Sequence, residues 1–213
     1  MRSDLTYVAV VLDRSGSMRN VTEDTIGGFN AFLDEQQRLP GDVLFTLVQF
    51  ADYPRVVADA IPIGKAQPLN HDTYQATGSS TSLYDAIGFT IESVGQKLAA
   101  MRESERPARV LVMIQTDGQE NSSCTYTRGR VAEMIKHQRE KYSWDFVFIG
   151  ASEQAVADAV AMGVQHDWAA QYAATPDGTA RMLRGASASV GRYRHEVASN
   201  NGVIGTTFNF FEP

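Results

Sequence analysis

The segment Val8-Ala9-Val10-Val11-Leu12-Asp13-Arg14-Ser15-Gly16-Ser17 constrains this chain more than any other. Five apolar residues in a row, without polar alternation, describe a strand buried on both faces, the habit of parallel sheets covered by helices. The run stops at a carboxylate. Asp13, Ser15 and Ser17 follow at alternate positions, so a turn there can carry three oxygens on one side, and Gly16 lets the backbone bend. Hard oxygen donors gathered in this way suit Mg²⁺, Mn²⁺ or Ca²⁺ rather than zinc.

The rest of the chain alternates strand and helix signals. Strands are expected over Tyr7–Leu12, Val43–Phe50, Tyr53–Ala58, Arg109–Gln115, Trp144–Ile149 and Val164–His166. Helices are expected over Thr22–Leu39, Leu83–Met101, Arg128–Tyr142, Ser152–Met162 and Thr175–Val190. On the helix from Leu83, one stripe holds Leu83, Ala86, Ile87, Ile91, Val94 and Leu98. Ser152 is the expected N-cap of its helix, and Thr175-Pro176-Asp177 opens the last helix. The pattern predicts an α/β fold: a doubly wound, mostly parallel sheet with helices on both faces. Tyr53–Ala58 is expected to pair with Val43–Phe50 as one short antiparallel edge strand. The domain is placed at residues 1–191. Residues 192–213 form a tail whose Phe208, Phe210 and Phe211 are expected to pack on the domain in preference to making outside contacts.

At 213 residues the chain can bury a core without covalent staples. Nineteen Lys and Arg against 25 Asp and Glu leave a net charge of −6, which argues against a general nucleic-acid surface. The single cysteine, Cys124, excludes an intrachain disulfide, and the four histidines show no zinc-ligand spacing. Neither a signal peptide nor a transmembrane run is expected, so the chain reads as cytoplasmic with no membrane association.

Two more polar clusters fall where doubly wound sheets build their sites. Gly78-Ser79-Ser80-Thr81-Ser82 closes a long loop just before a helix, and Thr116-Asp117-Gly118 follows the strand Val110–Ile114. Together with Asp13-x-Ser15-x-Ser17 these clusters resemble the von Willebrand factor type A (vWA) domain family and its metal-ion-dependent adhesion site (MIDAS). The family pattern is Asp-x-Ser-x-Ser, a distant Thr in a Gly-rich loop, and an Asp opening a Thr-Asp-Gly turn. All three parts occur in family order, and the likeness covers roughly Thr6 to Met162. The resemblance implies a Rossmann-like vWA fold with Asp13, Ser15, Ser17, Thr81 and Asp117 as metal ligands. It implies an intracellular binding module in which a divalent cation (Mg²⁺, or Mn²⁺ or Ca²⁺) captures an Asp or Glu of a protein partner, without catalysis.

Two rival classes stand beside it. A metal-dependent phosphatase or phosphotransferase on a similar sheet would want a second carboxylate at the position of Ser15, a poor proton carrier. The chain has no phosphate-binding Gly-x-x-x-x-Gly-Lys-Ser/Thr loop, Gly-x-Gly-x-x-Gly fingerprint or Gly-x-Ser-x-Gly elbow. A self-assembling structural protein would use the aromatic tail as an oligomer contact. Asp85 reads as a helix-dipole carboxylate in preference to an extra ligand, and Glu120 and Asn121, beside Asp117, as solvated loop residues in preference to a partner rim.

Overall fold

A computed structural model describes residues 1–205 and 208–211. The elements in chain order are β1 (Arg2–Asp13), α1 (Thr22–Arg38), β2 (Asp42–Phe50), β3 (Pro54–Pro62), α2 (Leu83–Ala100), β4 (Pro107–Thr116), α3 (Arg128–Tyr142), β5 (Trp144–Gly150), α4 (Glu153–Ala161), β6 (Ala169–Gln171) and α5 (Pro176–Ser199). The strands form one six-stranded sheet ordered β3-β2-β1-β4-β5-β6. Every pairing is parallel except β2 with β3. Continuous apolar runs produce this arrangement: residues 5–13 of β1 are all buried, as a strand covered on both faces requires. Tyr7 fits that interior because its hydroxyl finds Thr46 Oγ1 at 2.8 Å.

The connection from β1 to β2 runs one way along the sheet, and that from β3 to β4 runs the other. Right-handed crossovers therefore put α1 on one face and α2, α3 and α4 on the opposite face. The long α5 packs beside α1. The strand order reverses between β1 and β4, and beyond their carboxyl ends lies the crevice where such sheets place ligands.

Several expectations shift in extent. The antiparallel edge strand runs nine residues, Pro54–Pro62, rather than six. The last strand lies five residues later than expected. Gly163, at φ +100°, ends the turn after α4, and Val164 is a single buried anchor rather than the start of a strand. A short 3₁₀ turn over His166–Trp168 intervenes before Ala169–Gln171 pairs with β5. The final helix continues past Val190 to Ser199, because Tyr193 and Val197 extend its buried stripe. Its predicted opening is present: Thr175 Oγ1 accepts the Gly178 N–H at 3.2 Å, with Pro176 in the first turn. Ser152 caps α4 likewise, accepting from Ala155 N at 3.1 Å.

Beyond α5, Phe210 is fully buried, and Phe208 and Phe211 are partly so. They join Trp168 and Tyr193 in an aromatic cluster with ring centroids 5.1–6.1 Å apart. No described helix is long and apolar enough to cross a membrane.

Candidate metal centre

The site grows out of the ends of β1 and β4. At the end of β1, Asp13 turns its side chain back on its own loop: Oδ1 accepts the Ser15 N–H at 2.7 Å, an Asx turn that fixes the carboxylate. Its other oxygen accepts from Thr116 Oγ1, the last residue of β4, at 2.5 Å. Thr116 in turn receives the Gly118 N–H at 3.1 Å, so one hydroxyl joins the two loops. From there a chain of hydrogen bonds crosses the crevice. Ser15 Oγ lies 3.0 Å from Ser17 Oγ, and Ser17 Oγ donates to Asp117 Oδ1 at 2.7 Å.

Thr81 enters from the third loop. It is buried, and its Oγ1 lies 3.1 Å from where a Cβ on Gly118 would sit, with Ser17 Oγ at 3.7 Å from the same point. The five oxygen-bearing side chains expected from the sequence thus come together from three loops. The loop before Thr81 is seated by a bridge between Ser15 and Gly78. A Cβ at Gly78 would fall 2.1 Å from that of Ala51. Gly78→Ala is therefore expected to destabilise the protein by about 1–3 kcal/mol, read as a lower melting temperature.

Sequence reasoning missed Thr116 and Tyr74, and it gave Asp85, Glu120 and Asn121 looser roles than the structure does. Thr116 has been described. Tyr74 is fully buried, and its hydroxyl donates to the Asp13 carbonyl at 2.7 Å. Asp85 is neither a free helix-dipole carboxylate nor joined to the five. It accepts backbone N–H groups from Cys124, Thr125 and Tyr126 at 2.8–3.0 Å. Glu120 accepts four internal donors, and Asn121 bonds to Thr81; neither is merely solvated. Asp52, at the rim, is likewise engaged by Ser79 and Ser80. Of the five carboxylates around the crevice, only those of Asp13 and Asp117 meet the serine pair.

Burial pushes the Asp13 carboxyl above the usual carboxylate range, against hydrogen bonds from Thr116 and Ser15 that pull it down. Burial raises Asp117 too, opposed by Ser17. Among the described residues neither forms an ion pair. A buried and a half-buried carboxylate without a cationic side chain, facing three hydroxyls, make a donor set that fits a hard divalent cation. No described cluster holds three or more His, Cys, Asp or Glu in reach of one ion, so the set is hydroxyl-rich.

Comparison with known proteins agrees with the fold. A search of curated protein sequences returned no match. Proximal thread matrix protein 1 from the mussel byssus superposes with a TM-score of 0.58 at 16% identity, covering 84% of this chain and 44% of that one. Another structure of the mussel protein has a zinc-occupied MIDAS motif. A von Willebrand factor type A protein from Catenulispora acidiphila gives a TM-score of 0.56 at 13% identity, covering 91% of this chain and 42% of that one. BatB, a conserved hypothetical protein from Bacteroides thetaiotaomicron, gives 0.53 at 13% identity, with 88% and 99% covered. The chain spans less than half the length of the mussel and Catenulispora chains. Residues 8–174 match the sequence model of the von Willebrand factor type A domain, and this chain belongs to that family.

Proposed function

We propose that Asp13, Ser15, Ser17, Thr81 and Asp117 hold a divalent cation, and that the domain is a binding module capturing an Asp or Glu of a partner protein on that cation. The observation that carries this reading is the Asp13–Ser15–Ser17–Asp117 alignment of oxygens at the point where the strand order reverses, with Thr81 beside it. Hydroxyl and carboxylate oxygens favour Mg²⁺, with Mn²⁺ and Ca²⁺ as alternatives. The zinc seen in the mussel protein's motif makes Zn²⁺ the competitor to include in tests. When bound, the cation supplies a concentrated positive charge for an incoming carboxylate. The protein's part is to hold its oxygens in place and keep its own remaining acids away. Asp52, Asp85 and Glu120 are occupied by internal donors, which leaves the incoming carboxylate less competition.

The rival phosphotransfer reading needs a proton-carrying group at Ser15. That hydroxyl is engaged with Ser17, and no observation favours catalysis there.

The test is a melting curve of metal-stripped protein with each cation in turn. At a free concentration about one hundred times the dissociation constant, binding to the folded state adds about 2.7 kcal/mol, a rise of roughly 5–10 °C for a domain of this size. Chelator should abolish the rise. With Mn²⁺ bound, added acetate should alter the Mn²⁺ electron paramagnetic resonance spectrum as a carboxylate replaces water. Melting that ignores all four cations would remove the metal from the reading. An unchanged spectrum would remove the carboxylate clasp.

A further inference from the structure

The loop after Asp117 and the start of α2 are fastened together by side chains that reach across 36–41 residues of sequence. The first turn of a helix exposes N–H groups with no partner in the helix. Ser82, in the N-cap position of α2, makes no side-chain cap. The caps come from the other loop: Glu120 Oε2 accepts from Tyr84 N at 2.9 Å, and Ser123 Oγ accepts from Asp85 N at 3.0 Å. Asp85 answers by accepting from Cys124, Thr125 and Tyr126. Glu120 Oε1 holds its own loop closed through the N–H groups of Ser122 and Ser123, at 2.8 and 2.6 Å. Asn121 completes the join at Thr81 itself. Its Oδ1 accepts the Thr81 N–H at 2.8 Å, and its own N–H donates to the Thr81 carbonyl at 3.1 Å.

We infer that Asn121 and Glu120 are positioning residues for the cation: they make the Thr81 loop and the Asp117 loop one rigid body, so that two of the five ligands are set together before the cation arrives. This rests on the metal reading above. It adds that affinity depends on residues which need not touch the ion. The hydrogen bonds of the two side chains support that division. Both oxygens of Glu120 already accept from protein donors, and the Asn121 amide oxygen is turned to the Thr81 backbone. Outer partners of this kind, when removed, typically cost about 10- to 100-fold in metal affinity. For Asn121 the lower end is expected, because its backbone bond to Thr81 survives any side-chain change.

The experiment compares the full chain with Asn121→Ala, Asn121→Asp and Glu120→Gln. Mn²⁺ affinity and hydrogen exchange at the Thr81 amide are read on the same samples. Asn121→Ala should bind Mn²⁺ about tenfold more weakly, and its Thr81 amide should exchange faster, with the melting temperature without metal lowered by only about 2–4 °C. Asn121→Asp keeps the acceptor oxygen and should restore both affinity and amide protection. Glu120→Gln sets an amide N–H₂ against backbone N–H donors, so it should weaken Mn²⁺ binding in the same direction. Parental Mn²⁺ affinity in Asn121→Ala would overturn the positioning role and leave the ligand assignment standing. Unchanged exchange at Thr81 would overturn the clamp. Absence of Mn²⁺ binding in the parent chain would overturn the metal reading, and the positioning role with it.

Discussion

A chain ending at Gly191 is expected not to fold. Tyr193, Val197 and Phe210 are fully buried and close the core against Trp168. Losing one large buried side chain costs about 2–5 kcal/mol, and three together approach the roughly 5–15 kcal/mol by which whole proteins are stable. The cut also removes Arg194. Its buried guanidinium donates to the Gln36, Leu39, Pro40 and Gly41 carbonyls and to Gln36 Oε1, capping the end of α1. Without it those oxygens lose their donor in a partly desolvated place. Far-ultraviolet circular dichroism and limited proteolysis check the result. A truncated chain with the parent's cooperative melting would show that the end of α5 and the segment after it are dispensable.

Asp13→Ala is expected to remove cation binding while leaving the sheet folded. Asp13 supplies one of only two carboxylates in the crevice that meet the serine pair, and its loss should weaken binding by more than about 100-fold, beyond what outer partners cost. The effect on the metal-free fold is smaller because two contributions oppose each other. The substitution removes a carboxylate buried at a cost, and it leaves the Ser15 N–H and Thr116 hydroxyl without their acceptor. We expect a net change within about 2 kcal/mol, measured by urea unfolding in chelator. A molten Asp13→Ala protein would mean that Asp13 is a structural keystone of the β1–β4 junction.

The strands were legible because β1, β4 and β5 are nearly unbroken apolar runs, and such runs have few alternatives to a covered parallel sheet. The five oxygen-bearing residues were legible because each stands at a strand end or just before a helix, places the topology brings together. The end of α5 was also written in the sequence but easily overlooked. Leu183, Ala186, Val190, Tyr193 and Val197 recur at intervals of three and four, and the polar Arg192, Arg194, His195 and Glu196 disguise the stripe. The β6 position was not legible. Ala169-Ala170-Gln171 has little strand propensity and is held by backbone pairing to β5. Nor could sequence show the loop clamp. Glu120 to Tyr84 and Asn121 to Thr81 are bonds between irregular segments, with no period to betray them. Thr116 carries the same lesson: it reads as part of a turn until the fold sets its hydroxyl against Asp13.

The crevice beyond β1 and β4 is proposed to hold a cation. Isothermal titration of metal-stripped parent protein and Asp13→Ala with Mg²⁺, Mn²⁺, Ca²⁺ and Zn²⁺ tests it directly. One saturable site is expected in the parent, filled by Mg²⁺, or by Mn²⁺ or Ca²⁺, and lost in Asp13→Ala. Binding that persists in the mutant, or no binding to the parent by any of the four, would contradict it.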